Sequence, residues 1–262
     1  MTPGVALGVV VLGLGEAGGA IASGLAAAGC TVRGWDPRAG STPSGVARMR
    51  DPADVGPGVE LVLSLATAAH AIEAASSVAP SLGPPQLYAD LNTASPALKR
   101  DVAVVVEGRG APFADVALLG PVPGRGLATP ALASGRGAER FANLLRPLGL
   151  PVDVVGDAPG DAAALKLLRS VFMKGLAASV HESVEGAKRH GAEEWLRGQI
   201  ADVLGAPLLD RLLTGTVTHA ARRRDEMQAA ASYLEELGVE PRVSRAAIEL
   251  LEARAREDGA RR

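Results

Sequence analysis

The sequence predicts an α/β fold, a doubly wound parallel sheet, followed by a second, all-helical C-terminal domain. Three observations carry that expectation. Apolar, β-prone runs alternate with helical segments as far as residue 155, the pattern of a parallel sheet covered on both faces. The first run, Val9-Val10-Val11-Leu12, ends in Gly13-Leu14-Gly15-Glu16-Ala17-Gly18 and passes at once into an Ala-rich helical segment. Beyond Gly160 the spacing is helical throughout, with no convincing strand.

Taken in order, the predicted strands are Val9–Leu12, Thr31–Trp35, Leu61–Ser64, Leu87–Asp90, Phe113–Leu118, Ala131–Ser134 and Val152–Val155. Each is a short apolar run rich in β-branched or aromatic residues, or bounded by turn residues. The helices between them are Ala17–Ala28, Ala68–Val78, Pro96–Val106 and Ala138–Leu145. Arg38–Gly45 and Pro121–Gly126 are rich in turn residues and read as loops. After Gly156-Asp157-Ala158-Pro159-Gly160 the pattern changes. Asp161 is expected to cap a long helix reaching Arg189, which tolerates Gly175 and Gly186 and is stopped by His190-Gly191. Glu193–Leu204, Pro207–Leu237 and Ser244–Arg256 follow as helical segments, with Leu209, Leu212, Leu213, Val217, Ala220 and Ala221 in helical register. The domains are therefore placed at residues 1–159 and 160–262.

Composition narrows the class. At 47% hydrophobic and 21% charged the chain suits a globular protein with a sizeable core. With 3% aromatics that core must be built mainly of Ala, Val and Leu. A net charge of −2 gives no global attraction to nucleic acid, and nucleic-acid binding is not expected. The single cysteine, Cys30, rules out an intrachain disulfide and suits a reducing cytoplasm. The apolar start lacks a basic n-region and does not read as a signal peptide. No apolar run is long enough for a membrane span. His70, His181 and His190 lack a metal-ligand spacing, so no metal site is predicted.

The glycine motif suggests the chemistry. In a strand–turn–helix setting Gly13 permits the tight turn, Gly15 lets backbone approach a pyrophosphate, and Gly18 lets helix pack on strand. Leu14, Glu16 and Ala17 complete the turn, where a helix N-terminus offers N–H groups and partial positive charge to phosphates. Asp36 ends the second run, 23 positions after Gly13, close to the spacing of a carboxylate that binds the adenosine ribose. Asp36 favours NAD, whereas Arg38 and Arg33 would pair with the 2′-phosphate of NADP. The reading leans to NAD.

A doubly wound sheet binds its ligand at the carboxyl ends of its strands. Leu65-Ala66-Thr67, Asn92-Thr93 and Leu119-Gly120 fall there, although Asn92, Thr93 and Ser95 also suit the cap of the following helix. Lys166 lies early in the long helix with apolar neighbours. An ammonium so placed is either partly desolvated, with a pKa lowered toward use in proton transfer, or a surface lysine whose stem covers apolar groups. Arg169, Ser170 and Lys174 recur on roughly the same face of that helix.

Taken together these segments resemble the β-hydroxyacid dehydrogenase, or 6-phosphogluconate dehydrogenase-like, superfamily over nearly the whole chain. Gly13–Gly18 matches its Gly-Leu-Gly-x-x-Gly turn. Asp90–Pro96 looks like its Asp-x-Ser-Thr-x-x-Pro segment, with Asn92 in place of Ser. Gly160–Ser170 resembles its Gly-x-x-x-x-x-Lys-x-x-x-Asn motif. Residues 169–175 and 222–227 look like a less characterised, phosphogluconate dehydrogenase-like branch.

The resemblance implies a Rossmann-type cofactor domain and hydride transfer between a nicotinamide cofactor and a small hydroxy acid or related carbonyl compound. Lys166 would be the general acid/base, Asn92 would face the cofactor, and Thr93 would lie at the substrate junction. It also implies a homodimer through the helical domain, where His219, Arg222 and Arg223 either approach a substrate in the partner's cleft or belong to a charged helix face with pairs such as Arg222 with Glu226. Two departures bear on the substrate. Ser170 stands where the family has Asn, and Leu119-Gly120-Pro121 stands where it has Ser-Gly-Gly. Pro121 has no N–H and Leu119 no hydroxyl, so a carboxylate would be held less well unless Arg169 replaces the contact. An imine or ketone reductase on the same scaffold, or a dinucleotide-binding protein without turnover, are the alternatives.

Overall fold

The computed structural model describes residues 6–218 and 220–259. They separate into two compact units, divided between Lys166 and Leu167.

In the first unit β1 (Gly8–Leu12) is buried at every position. Its alternate side chains feed two different cores. Val9 and Val11 pack with Ile21 and Leu25 of α1 (Glu16–Ala27) and Phe141 of α4 (Ala138–Leu145), while Val10 and Leu12 pack with α2 (Ala71–Val78) and α3 (Pro96–Glu107). A strand with period-two side chains and apolar groups on both faces needs helices on both sides. The same alternation continues in β4 (Val59–Ser64) and β5 (Leu87–Asp90). The other strands are β2 (Thr31–Trp35), β3 (Val46–Arg48), β6 (Phe113–Leu118), β7 (Ala131–Ser134) and β8 (Val152–Gly156). The spatial order is β3-β2-β1-β4-β5-β6-β7-β8. This is a Rossmann-like, mostly parallel sheet.

Three local expectations change. The sheet is not wholly parallel, because β7 pairs antiparallel with β6, Leu118 facing Ala131. The segment joining them holds only a single 3-10 turn at Gly126–Ala128, and a parallel return usually needs a longer helical crossover. β3 was not expected, because only Val46 of its three residues is buried and turn residues precede it. Asp161 does not cap α5 (Asp161–His190). Instead Ala162 N–H donates to Ser134 Oγ at 3.0 Å and Ala163 N–H to Asp115 Oδ2 at 2.9 Å. Side chains from β6 and β7 thus satisfy the orphan donors of the first turn.

The second unit holds the rest of α5 with α6 (Glu193–Leu204), α7 (Ala206–Thr218), α8 (Ala220–Glu236) and α9 (Arg242–Gly259). The single segment expected at Pro207–Leu237 is two helices. Their apolar groups have different partners: Leu209 and Leu212 pack with Ala177, Val180 and Val184 of α5, whereas Ala220 and Met227 pack with Ala247 and Leu251 of α9. No helix among the described residues is long and apolar enough to cross a membrane.

Candidate active site

The glycine turn at the end of β1 is built by close approach. Gly13 has φ +90°, and a Cβ there would lie 2.5 Å from the Leu65 carbonyl oxygen. A Cβ on Gly18 would lie 1.9 Å from the Gly13 carbonyl oxygen. Gly15 is different, because a Cβ there would meet no protein atom within 4 Å. Packing therefore demands glycine at 13 and 18 but not at 15. Gly15 is also the N-cap of α1 and brings no side-chain cap to that helix. A smooth backbone face ahead of an uncapped helix N-terminus fits a pyrophosphate, with the N–H groups of Glu16, Ala17 and Gly18 as donors.

Asp36 is tied to this turn. Its Oδ2 accepts from Leu14 N–H at 2.9 Å and its Oδ1 from Arg38 N–H at 2.8 Å. Burial pushes its carboxyl up, but the N–H groups of Arg38, Leu14 and Ala39 and the Arg38 charge outweigh that and hold it below the usual carboxylate range. Arg38 is exposed beside it. Arg33 is not available to a 2′-phosphate, because its guanidinium donates to the Val55 carbonyl and lies against Gly56.

The ends of β4 and β5 are joined by side chains. Leu65 backs onto Gly13, Ala66 packs on the α2–α3 side of the sheet, and Thr67 Oγ1 bonds His70 Nδ1 at 2.8 Å. Asn92 is buried. Its Nδ2 donates to Ser64 Oγ at 3.0 Å, its N–H donates to Asp90 Oδ1, and its Oδ1 has no hydrogen-bond partner. That oxygen is an acceptor in want of a donor, which is unusual for a buried amide. Only Ser95 of the three possible caps serves α3, accepting from Leu98 N–H at 3.3 Å. Thr93 points elsewhere: its Oγ1 accepts from Lys166 Nζ at 3.0 Å.

Lys166 reaches Thr93 because α5 starts hard against α3. Gly160 has φ +102°, and a Cβ there would lie 2.8 Å from the Pro96 carbonyl oxygen. Half-buried Lys166 lies in the second turn of α5. The β6–β7 segment keeps its own backbone groups occupied. Leu119 N–H donates to Pro130 O at 2.8 Å, and Pro121 lacks an N–H. The exposed Arg125 guanidinium lies beside Gly120, 3.6 Å from where a Cβ would be.

Lys99 was missed, although Pro96, Lys99, Val102, Ala103 and Val106 form one buried stripe on α3. A lysine on an apolar stripe is the signal that could have found it.

The helical unit has its own polar cluster. Ser170 Oγ donates to Glu226 Oε1 at 2.7 Å and accepts from Lys174 Nζ at 3.0 Å, and Lys174 lies 2.9 Å from the same Glu226 oxygen. Burial lowers the Lys174 pKa; Glu226 opposes the shift, and the Arg223 and Arg169 charges reinforce it. Arg169 is exposed. The candidate His219 lies outside the described residues. Among the described residues no group of three or more His, Cys, Asp or Glu side chains could hold a metal ion.

The model of the NAD binding domain of 6-phosphogluconate dehydrogenase matches residues 8–151. A domain of unknown function, DUF1932, matches residues 187–253. Conserved protein MTH1747 of unknown function, whose structure is described as similar to 3-hydroxyacid dehydrogenases, is 32% identical, with 95% of this chain and 98% of that chain covered and a TM-score of 0.75. Mycobacterium tuberculosis 3-hydroxyisobutyrate dehydrogenase with L-serine has a TM-score of 0.82 at 21% identity, covering 95% and 93% of the two chains. A reductive aminase from Aspergillus terreus in complex with NADPH4, cyclohexanone and allyl amine has a TM-score of 0.66 at 22% identity, covering 96% and 94%. Fold, glycine turn and matched residues agree: the chain belongs to the 6-phosphogluconate dehydrogenase-like family, on an NAD(P)-binding hydroxyacid dehydrogenase-like scaffold.

Proposed function

We propose that this protein is an NAD(P)-dependent oxidoreductase of small hydroxy acids or related carbonyl compounds, with Lys166 as general acid/base. The hydrogen bond from Lys166 Nζ to Thr93 Oγ1 carries this reading. It fixes one ammonium group at the end of β5, the side of the sheet where the glycine turn would hold a dinucleotide. When bound, the nicotinamide supplies or takes the hydride. The protein supplies orientation and the proton. In oxidation Lys166 Nζ, in its neutral form, accepts the hydroxyl proton; in reduction its ammonium form returns one. Thr93 Oγ1 restricts the swing of the side chain. Asn92 Oδ1 stands ready for a donor.

The proposed cofactor preference is NAD. Asp36 presents its carboxylate where a 2′-phosphate would bring negative charge, and only Arg38 of the two expected arginines remains to offset it. Fluorescence titration with NADH and NADPH tests the site and the preference together. A panel of hydroxy acids, aldehyde acids, ketones and imines then tests turnover. Full turnover by Lys166→Ala would remove that residue from the chemistry.

A second reading, reduction of imines or less acidic ketones, draws on one observation. The Leu119–Pro121 segment spends Leu119 N–H on Pro130 and has no N–H at Pro121, so it offers a carboxylate little. Reduction of such substrates with no hydroxy acid oxidised would favour it. We also propose a homodimer formed through the helical unit, which exposes Phe172, Trp195 and Val203; light scattering at the monomer mass would refute it.

A further inference from the structure

Lys99 is 1% exposed, and in the first unit its ammonium donates to two oxygens of Asp90 and pairs with the Asp115 carboxylate. Nζ lies 2.7 Å from Asp90 O, 3.0 Å from Asp90 Oδ1 and 3.1 Å from Asp115 Oδ1. Neither carboxylate has any exposure. Burial alone would discharge this lysine; the two carboxylates overcome that and keep it charged. Such a group is costly to bury and contributes little net stability beside an apolar side chain of the same shape.

The connections of the cluster are specific. Asp115 Oδ2 accepts from Ala163 N–H, in the first turn of α5, one turn before Lys166. Ser134 Oγ sits 3.4 Å from the same oxygen and accepts from Ala162 N–H. On the other side Asp90 Oδ1 accepts from Asn92 N–H, one residue before Thr93. One carboxylate therefore fixes the start of the helix that carries Lys166, and the other fixes the loop that carries Thr93. Lys99 holds the two carboxylates together.

We propose that Lys99 is a positioning residue: through Asp90 and Asp115 it registers the turn of α5 carrying Lys166 against the loop carrying Thr93. The catalytic value of that register rests on the proposed role of Lys166, but the register itself is measurable without a substrate. The chain has four lysines, at 99, 166, 174 and 188, and Lys188 is exposed near the end of α5. Trace acetylation read by mass spectrometry thus gives the reactivity of Lys166 relative to Lys188 as an internal standard.

The experiment compares the full-length wild type with Asp115→Asn, with Lys99→Met/Asp115→Asn, and with Phe141→Leu. Asp115→Asn leaves Lys99 paired one to one with Asp90 and so guards against a collapse caused by an unpaired buried ion, while the double variant removes the ammonium itself. Phe141 is fully buried in α4 away from the cluster and reports general destabilisation. All are labelled well below their melting temperatures. In both cluster variants the Lys166 to Lys188 ratio is expected to rise about threefold, since a loosened shell leaves a side chain poorly held. Amide exchange at Ala162 and Ala163 is expected to quicken about tenfold through local opening. Phe141→Leu should alter neither.

Unchanged ratios in both cluster variants, or an equal rise in Phe141→Leu, would overturn the proposal. Where a substrate is in hand, kcat should fall about tenfold in the double variant with NAD(P)H affinity unchanged, because misplacement of the proton-transfer group costs rate and not cofactor binding. Full turnover by Lys166→Ala would refute the role of Lys166 and leave the labelling result readable.

Discussion

Lys166 Nζ and Thr93 Oγ1 meet at 3.0 Å across 73 residues of sequence, one on α5 and the other just beyond β5. Replacing Thr93 by Val keeps the shape and removes the acceptor. A hydrogen bond to a charged group contributes about 1.5–3 kcal/mol, so kcat is expected to fall about tenfold or more. NAD(P)H affinity should not change, and Thr93→Ser should restore most of the rate. Steady-state kinetics of the three proteins check this. Equal kcat for Thr93→Val and wild type would show that Lys166 is oriented by something else.

Gly15 and Gly18 look equivalent in the motif, yet the structure separates them. An Ala Cβ at 18 would lie 1.9 Å from the Gly13 carbonyl oxygen, so strand and helix must part. Gly18→Ala should therefore lower the melting temperature, with a cost of about 2 kcal/mol or more, in the range of overpacked sites. An Ala Cβ at 15 meets nothing in the protein. Gly15→Ala should melt with the wild type but bind NADH and NADPH at least about tenfold more weakly, because the methyl occupies the approach of the pyrophosphate. Wild-type affinity in a well-folded Gly15→Ala protein would show that no phosphate lies over that face.

The glycine turn and the strand ends were legible in the sequence because they depend on local rules: period-two apolar runs, a glycine spacing and a carboxylate at a fixed distance from it. Tertiary links were not. Asp161 has the right residue type and position for a cap, but Asp115 and Ser134 arrive from strands 46 and 27 positions earlier and take the role. Arg33 was a reasonable phosphate ligand until its strand register turned it toward Val55. Ser170 stands out only by its place in a motif; that its hydroxyl donates to Glu226, 56 residues away, is a link the sequence does not show. The break between α7 and α8 follows from two different packing partners, which helical periodicity cannot separate.

Asp36 ties the cofactor question to the turn itself. Asp36→Ala removes the acceptor for Leu14 N–H as well as the group proposed to bind ribose. NADH affinity should fall about tenfold, the worth of one charge-assisted hydrogen bond. Arg38→Ala should weaken NADPH and leave NADH nearly unchanged. Since the folded carboxyl sits below its usual value of 3.8, its contribution to stability is present above that pH and is lost as pH falls through the folded value. NADH binding followed from pH 7 to 5 should therefore show no titration of Asp36. A binding transition in that range that disappears in Asp36→Asn would contradict the assignment.

His181 makes the helical unit sensitive at a milder pH. Its Nε2 lies 3.1 Å from the Leu213 carbonyl oxygen, so that nitrogen carries the proton in the neutral ring. Burial lowers its pKa from 6.5; the Arg254 charge adds to this, while bonds to the Leu213 and Leu212 carbonyls oppose it. A group that binds its proton less readily when folded gives the unfolded chain the larger proton uptake on acidification. The stability it contributes is therefore full above pH 6.5 and is lost as pH falls from there toward the folded value. The melting temperature, followed by the helical circular dichroism signal, should decline from pH 7.5 to 5.5. Part of that decline should vanish in His181→Gln, whose amide N–H can still reach Leu213 but does not titrate. A parallel decline in wild type and His181→Gln would place the sensitive group elsewhere.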